Sequence, residues 1–212
     1  MTSRFLQTLL DDASRPFRSG GHFAYHYARG KLSSDCIFRE LLKRGIFPTK
    51  AHFLDLGCGQ GSLFGWLLAA RNLYENGNWP NDWSTPPKPL SLRGFELMQK
   101  DVDRAAKAFG SDHPLVDIRQ GDMCKVDFGQ ADVPGGLFLT RVGDAGAGLP
   151  YHICNWVDHA VTFVRGHRLP TLHGRRLTEW IDLLKSIGFK VETMPMSEGK
   201  PFANVMLICR VP

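Results

Sequence analysis

Apolar positions along the chain follow two rhythms. One returns every three to four residues; the other forms short continuous runs bounded by turn formers. Residues 3–12 and 35–44 carry the helical rhythm. In the second, Ile37, Phe38, Leu41 and Leu42 share a face, and Asp35 stands where an N-cap belongs. Phe53–Leu56 reads as a first strand, and Ser62–Asn72 as a helix with Phe64, Leu67 and Leu68 on its apolar face. Ser91–Glu96 and Leu115–Arg119 read as the second and third strands, joined by a helix over Met98–Phe109. Gly136–Val142 is a further strand. Leu177, Trp180, Ile181, Leu184 and Ile187 then trace one face of a helix that stops at Gly188. Phe189–Met194 and Asn204–Val211 are the last two strands. Strands alternating with helices predict an α/β fold.

Two segments stand outside this pattern. Residues 17–31 concentrate aromatic and cationic side chains, among them His22, Phe23, Tyr25, His26, Tyr27 and Arg29. Residues 74–90 run through Asn76-Gly77-Asn78-Trp79-Pro80 into Pro86-Pro87-Lys88-Pro89, which predicts a long surface loop.

Composition narrows the class. A chain of 212 residues holds one sizeable domain; 43% hydrophobic and 22% charged residues are ordinary for a soluble globular protein. No apolar run reaches membrane-spanning length, and residues 1–12 lack a signal-peptide pattern. The five cysteines, at 36, 58, 124, 154 and 209, form no Cys-x-x-Cys pair and read as reduced thiols of a cytoplasmic protein. No His/Cys spacing matches a zinc framework, so no metal is expected. The net charge is +5, and its densest basic stretch runs from Arg165 through His167, Arg168 and His173 to Arg175 and Arg176. It reads first as a solvated loop before a helix. An acidic substrate, RNA or a membrane surface would also match it, but no RNA-binding module accompanies it.

The candidate chemistry sits at the end of the first strand, in Phe53-Leu54-Asp55-Leu56-Gly57-Cys58-Gly59-Gln60-Gly61. A strand that ends in alternating glycines and opens a helix lets the backbone lie against a ligand. The helix N-terminus then faces the same spot. The spacing Asp-x-Gly-x-Gly-x-Gly departs from the dinucleotide fingerprint Gly-x-Gly-x-x-Gly, because Ser62 stands at its third glycine. It resembles the first motif of class I S-adenosylmethionine-dependent methyltransferases of the bacterial small-molecule type. The ending from the helix through Gly188-Phe189 to two final strands is similar to that family too. The resemblance implies a Rossmann-like, doubly wound, mostly parallel sheet with an antiparallel last strand. It implies S-adenosylmethionine as cofactor and a domain over 51–212 behind an N-terminal helical lid over 1–50.

Further site residues follow from position and from that resemblance. Glu96, with Leu97 behind it, closes the second strand, where a carboxylate can accept from both ribose hydroxyls; a helix-capping acid is the plainer alternative. The 39 positions from Gly57 to Glu96 exceed the usual gap of roughly 20, and the Trp/Pro segment accounts for the surplus. The resemblance gives Asp122 the adenine amino group and Met123 the ring face; an Asp in a turn is the alternative. It gives Asp55 the methionyl amino end, Gly57 and Gly59 the close approach, and Cys58, Gln60 and Gly61 places in the loop. Cys58 reads as a small packed residue. Tyr25, His26, Tyr27 and Arg29 could line an acceptor pocket, and Arg141 and Asp144 lie where acceptor contacts occur in such folds.

One departure is large. The family places a fourth strand and a helix between the adenine acid and the Pro-Gly-Gly turn. Only 11 residues separate Asp122 from Pro134 here, fewer than a parallel crossover of roughly a dozen residues needs. Ala131-Asp132-Val133 looks like the cut-off beginning of that strand. The expected function is methyl transfer to a small-molecule or lipid-like acceptor, with nucleic acid an improbable partner. The alternatives are RNA or protein methylation, or a cofactor-binding module without catalysis.

Overall fold

The computed structural model describes residues 2–127, 135–164, 174–197 and 202–212. They form two compact units, Met1–Asp127 and Phe128–Pro212.

The first unit runs α1 (Thr2–Ser14), a 3-10 turn (Arg15–Arg18), α2 (His22–Ser34), α3 (Cys36–Lys43), β1 (Lys50–Leu56), α4 (Ser62–Glu75), β2 (Lys88–Glu96), α5 (Gln99–Phe109) and β3 (Val116–Gln120). The strands pair in the order β1-β2-β3, all parallel, with Leu56 opposite Phe95 and Glu96 opposite Gln120. Asp35 caps α3, its side chain accepting from the Ile37 N–H.

The N-terminal helices share the core of this unit. Leu9, Ala13, Leu32, Phe38 and Leu42 are buried in one cluster with Phe64, Trp66, Leu67 and Leu92. Each large apolar side chain so buried contributes on the order of 1.5–3 kcal/mol. α1 approaches α4 so closely that a Cβ on Gly65 would come within 2.8 Å of the Ala13 carbonyl oxygen.

The Trp/Pro segment corrects the sequence expectation. Phe5, Trp79 and Trp83 pack edge to face, with ring centroids 5.2, 5.2 and 5.7 Å apart, and Trp83 is buried. The Trp79 indole N–H donates to the Ser84 carbonyl at 3.0 Å, and the Ser84 N–H donates to the Lys43 carbonyl at 3.2 Å. This segment is fastened to α1 and to the end of α3, and β2 already begins at Lys88. The cause is the aromatic content, which a turn-rich composition conceals.

The second unit runs β4 (Leu137–Gly143), a 3-10 turn (Ala145–Ala147), α6 (Leu149–Val164), α7 (Leu177–Ser186), β5 (Lys190–Pro195) and β6 (Asn204–Arg210). Its sheet has the order β4-β6-β5, and the last strand is antiparallel to both neighbours. Val142, Leu184, Leu207 and Cys209 form its core, with Trp180, Ile181, Phe189 and Val191 packed against them. α7 closes through Gly188, whose N–H donates to the Lys185 carbonyl, while the Phe189 N–H reaches Leu184.

The expected strand fragment Ala131-Asp132-Val133 lies outside the described residues. Among the described residues β1 pairs only with β2, and β4 only with β6. The whole is α/β, with a parallel sheet followed by an antiparallel last strand.

The aromatic anchor is testable. Trp83→Ala should lower the urea-unfolding free energy by about 3–5 kcal/mol, the usual cost of emptying a buried aromatic site. Asn81→Ala, on the exposed part of the same segment, should stay within about 0.5 kcal/mol of the parent.

Candidate functional site

The parallel register brings three strand ends to one edge. Leu56 lies opposite Phe95 and Glu96 opposite Gln120, so residues 57–61, 97–98 and 121–123 leave the sheet side by side. The Gly57 and Cys58 N–H groups both donate to the Phe95 carbonyl, at 2.8 and 3.2 Å, and hold the start of the glycine loop against β2.

Gly57 and Gly59 have φ of +80° and +58°, a region that other residues adopt at a cost. A Cβ built on either would meet nothing within 4 Å, so both turn an open backbone face outward. Gly61 differs. Its Cβ would fall 2.8 Å from Ile118 Cδ1 and 2.9 Å from a Phe109 ring carbon. The structure thus gives the third glycine a packing role against β3 and α5. Gly61 also caps α4, whose unpaired N–H groups open at the loop.

Glu96 joins the loop to β2. Its Oε2 accepts from the Gly59 N–H at 2.8 Å and its Oε1 from the Met98 N–H at 2.9 Å. Glu96 thus holds the start of α5, whose N-cap is Met98. A carboxylate offers about four acceptor positions, so capacity for ribose hydroxyls remains. Leu97 and Met123 project from the same edge, 61% and 52% exposed. Asp122 makes a turn, its Oδ1 accepting from the Cys124 N–H at 2.9 Å, while the Gly121 N–H donates to the Glu96 carbonyl at 3.0 Å.

Three ionisable groups share this edge. Burial pushes the Asp55 carboxyl above its ordinary range, and the charge of Glu96 adds to that; Lys31 of α2 works the other way. Burial, then the charges of Asp55 and Glu96, push the Cys58 thiol up to about 12. Cys58 is thus a protonated, packed residue with no nucleophilic role at neutral pH. Its sulfur lies where a Cβ on Gly94 would come within 2.6 Å, so β2 needs a residue without a side chain there.

Sequence reasoning missed two features of α2. Gln60 is buried, and its Nε2 donates to the Ala24 carbonyl at 2.7 Å, so the glycine loop and α2 are bonded directly. Lys31 follows two helical turns after Ala24 on the same face, which accounts for its influence on Asp55. The helical spacing of Ala24, Ala28 and Lys31 was the available signal. The aromatic and cationic side chains of this region divide among local partners. Arg29 pairs with Asp11 at 2.5 Å, Arg18 lies 5.0 Å over the Tyr25 ring, and His22 and His26 sit 4.1 Å apart.

Asp144, in the second unit, has a structural use. Its Oδ1 accepts from the Gly146 and Leu177 N–H groups at 2.8 and 2.9 Å and fixes the start of α7. Among the described residues no group of three or more His, Cys, Asp or Glu side chains could hold a metal ion. A groove of about 260 Å³, lined by Asp12, Arg15, Leu68, Asn72, Phe109 and His113, includes no residue of the glycine loop. The strand edge, open and shallow, is the better candidate because the hydrogen-bonding groups and open glycines converge there.

No protein-family model matches the chain, and no curated protein does. Solved structures do. An S-adenosylmethionine-dependent methyltransferase from Mesorhizobium loti is similar over 79% of this chain and 94% of its own, at 16% identity and a TM-score of 0.51. A chain from the complex of the Haloferax volcanii Trm112 methyltransferase activator with a methyltransferase is similar over 88% and 93%, at 14% identity and 0.55. A Listeria monocytogenes protein described as an S-adenosylmethionine-dependent methyltransferase is similar over 82% and 96%, at 14% identity and 0.51. The chain has the Rossmann-like fold of class I methyltransferases.

Asp55 supplies a test of the site's electrostatics. A carboxyl whose folded pKa is raised holds its proton more tightly in the native state, so stability falls as pH rises through the folded pKa. Asp55→Asn should therefore raise Tm at pH 7 relative to the parent. The difference should shrink as pH falls and vanish well below the ordinary value of 3.8, where the carboxyl is protonated in both states; thermal melts across pH 2–8 check this.

Proposed function

We propose that this chain, with the fold of class I methyltransferases, binds S-adenosylmethionine along the C-terminal edge of β1-β2-β3. There it directs methyl transfer to a small-molecule or lipid-like acceptor. The observation that carries this reading is the convergence, on one strand edge, of two outward-open glycines, the Glu96 carboxylate and the exposed Leu97 and Met123.

The residues present fit that group. Gly57 and Gly59 admit close approach of a ligand to backbone. Glu96, already held by two backbone N–H groups, is a rigid acceptor for a ribose diol. Leu97 and Met123 offer apolar surface for an adenine ring, and Asp122 an acceptor beside it. Asp55 would take the cofactor's amino group with a carboxylate whose burial favours a positive partner. When bound, S-adenosylmethionine supplies a methyl group on a positively charged sulfur. The chain's own contribution is alignment: holding donor and acceptor in line can supply most of the rate of such a displacement. Glu96, Gly59 and Met98 form one hydrogen-bonded unit that fixes loop and strand end together. Gln60 ties α2 to that unit, which supports a lid role for the N-terminal helices. The aromatic residues 23–27 favour an organic acceptor over a protein.

Calorimetric titration with S-adenosylhomocysteine tests the reading. The parent should bind. Glu96→Ala should bind at least about tenfold more weakly, as expected when hydrogen bonds to a charged group are lost. Gly57→Arg, whose side chain would fill the open face, should not bind. A folded parent that ignores S-adenosylhomocysteine, or binds NAD instead, overturns the proposal.

A further inference from the structure

α2 carries a half-buried cation, Lys31, that no acid pairs with. Three arginines of the same unit are taken: Arg29 by Asp11, Arg15 by Asp12, and Arg104 of α5 by the buried Asp101. Lys31 makes no ion pair among the described residues. Its ammonium lies 6.0 Å from the Phe38 ring centre, at the outer reach of a cation–π contact. Its place follows from the seating of the helix. The Gln60 Nε2 donates to the Ala24 carbonyl at 2.7 Å and sets α2 beside the glycine loop. Lys31 follows Ala24 by seven residues, so at about 100° per residue the two lie within an arc of roughly 20°. Asp55 and Cys58 both feel its charge. Asp55 also makes no ion pair among the described residues, while Glu96 accepts from the Gly59 and Met98 N–H groups. An acid and an ammonium, on two different elements, thus serve one strand end without pairing with each other.

We propose that Lys31 determines specificity at the cofactor site: it takes the carboxylate of the amino-acid end of S-adenosylmethionine, while Asp55 takes the ammonium group. An α-amino acid carries its two opposite charges on one carbon. A lysine and an aspartate that share one strand end without closing a pair match that arrangement. A ligand that keeps the ammonium and lacks the carboxylate leaves Lys31 unpaired and adds a positive charge beside it. A polar site rejects a truncated ligand in this way, by the groups left without partners. α2 then belongs to the binding site itself, and the Gln60 bond to Ala24 is what holds the ammonium in place. The inference rests on the cofactor reading given above and involves residues of the first unit alone.

Calorimetric titration of the full chain with two probes tests it: S-adenosylhomocysteine, and its decarboxylated analogue, which keeps the amine. The parent should bind S-adenosylhomocysteine at least about tenfold more tightly than the analogue, as expected for a hydrogen-bonded charge pair. In Lys31→Gln that preference should collapse to within about twofold, because the cycle of variant and truncated ligand isolates the one contact. Lys31→Arg, which keeps the charge, should retain most of the preference. Far-UV circular dichroism and Tm of both variants against the parent check that the fold is kept. Glu96→Ala should weaken both probes alike, since both carry the ribose. The proposal is overturned if the parent binds the two probes equally, or if Lys31→Gln keeps the full preference. Either result, with Glu96→Ala still weakening both probes, leaves the cofactor reading standing and removes Lys31 alone. A folded parent that binds neither probe overturns the cofactor reading and this inference with it.

Discussion

The parallel pairing of β1 with β2 is the constraint on which the site depends. It sets Leu56 opposite Phe95 and so delivers the Gly57 and Cys58 N–H groups to one carbonyl oxygen. That pair of bonds fixes where the chain leaves the sheet. From there the Gly59 N–H reaches Glu96, and Glu96 in turn holds the first turn of α5 through Met98. A register slip in a parallel pair would reverse which side chains face the core. It would also separate the carboxylate from the loop. Gly94 is part of the same constraint, because the Cys58 sulfur occupies the space where any larger residue on β2 would place a Cβ.

Around that scaffold the charges are arranged against solvation. Asp55 and Glu96 share one edge, burial raises the first, and burial together with their two charges pushes the Cys58 thiol up. Lys31 offsets part of this from α2. Such a site favours a ligand with a positive end. Burying two carboxylates near each other costs free energy that a cation returns. The helices before residue 50 are thus electrostatic and hydrogen-bonded neighbours of the site as well as contributors to the core of the first unit.

The second unit is built on another principle. Its antiparallel sheet packs α7 on one compact apolar cluster, while α6 is held by a few directed contacts and turns large apolar side chains to solvent. A face of that kind on an ordinary globular chain marks an interaction surface.

Most elements were legible in the sequence: α1, α3, α4, α5 and α7 through the 3.6-residue rhythm of a buried face, and all six strands through short apolar runs bounded by turn formers. The Asp-x-Gly-x-Gly-x-Gly run and Glu96 were legible because a turn with positive φ demands glycine and a strand end is marked by where its apolar run stops. α6 was passed over, although His152, Asn155, Asp158, His159 and Thr162 gather on one side of its helix wheel. The anchoring of Trp79 and Trp83 on Phe5 was hidden by the glycines, prolines and asparagines around them. Nor could spacing reveal that Gly61 meets Ile118 and Phe109, that Gln60 reaches Ala24, or that Lys31 opposes the charge of Asp55. Those are contacts between residues far apart in the chain. By itself the sequence determined which residues can turn, cap and bury. Only tertiary structure decided which of them meet, because that depends on strand register and helix docking rather than on local pattern.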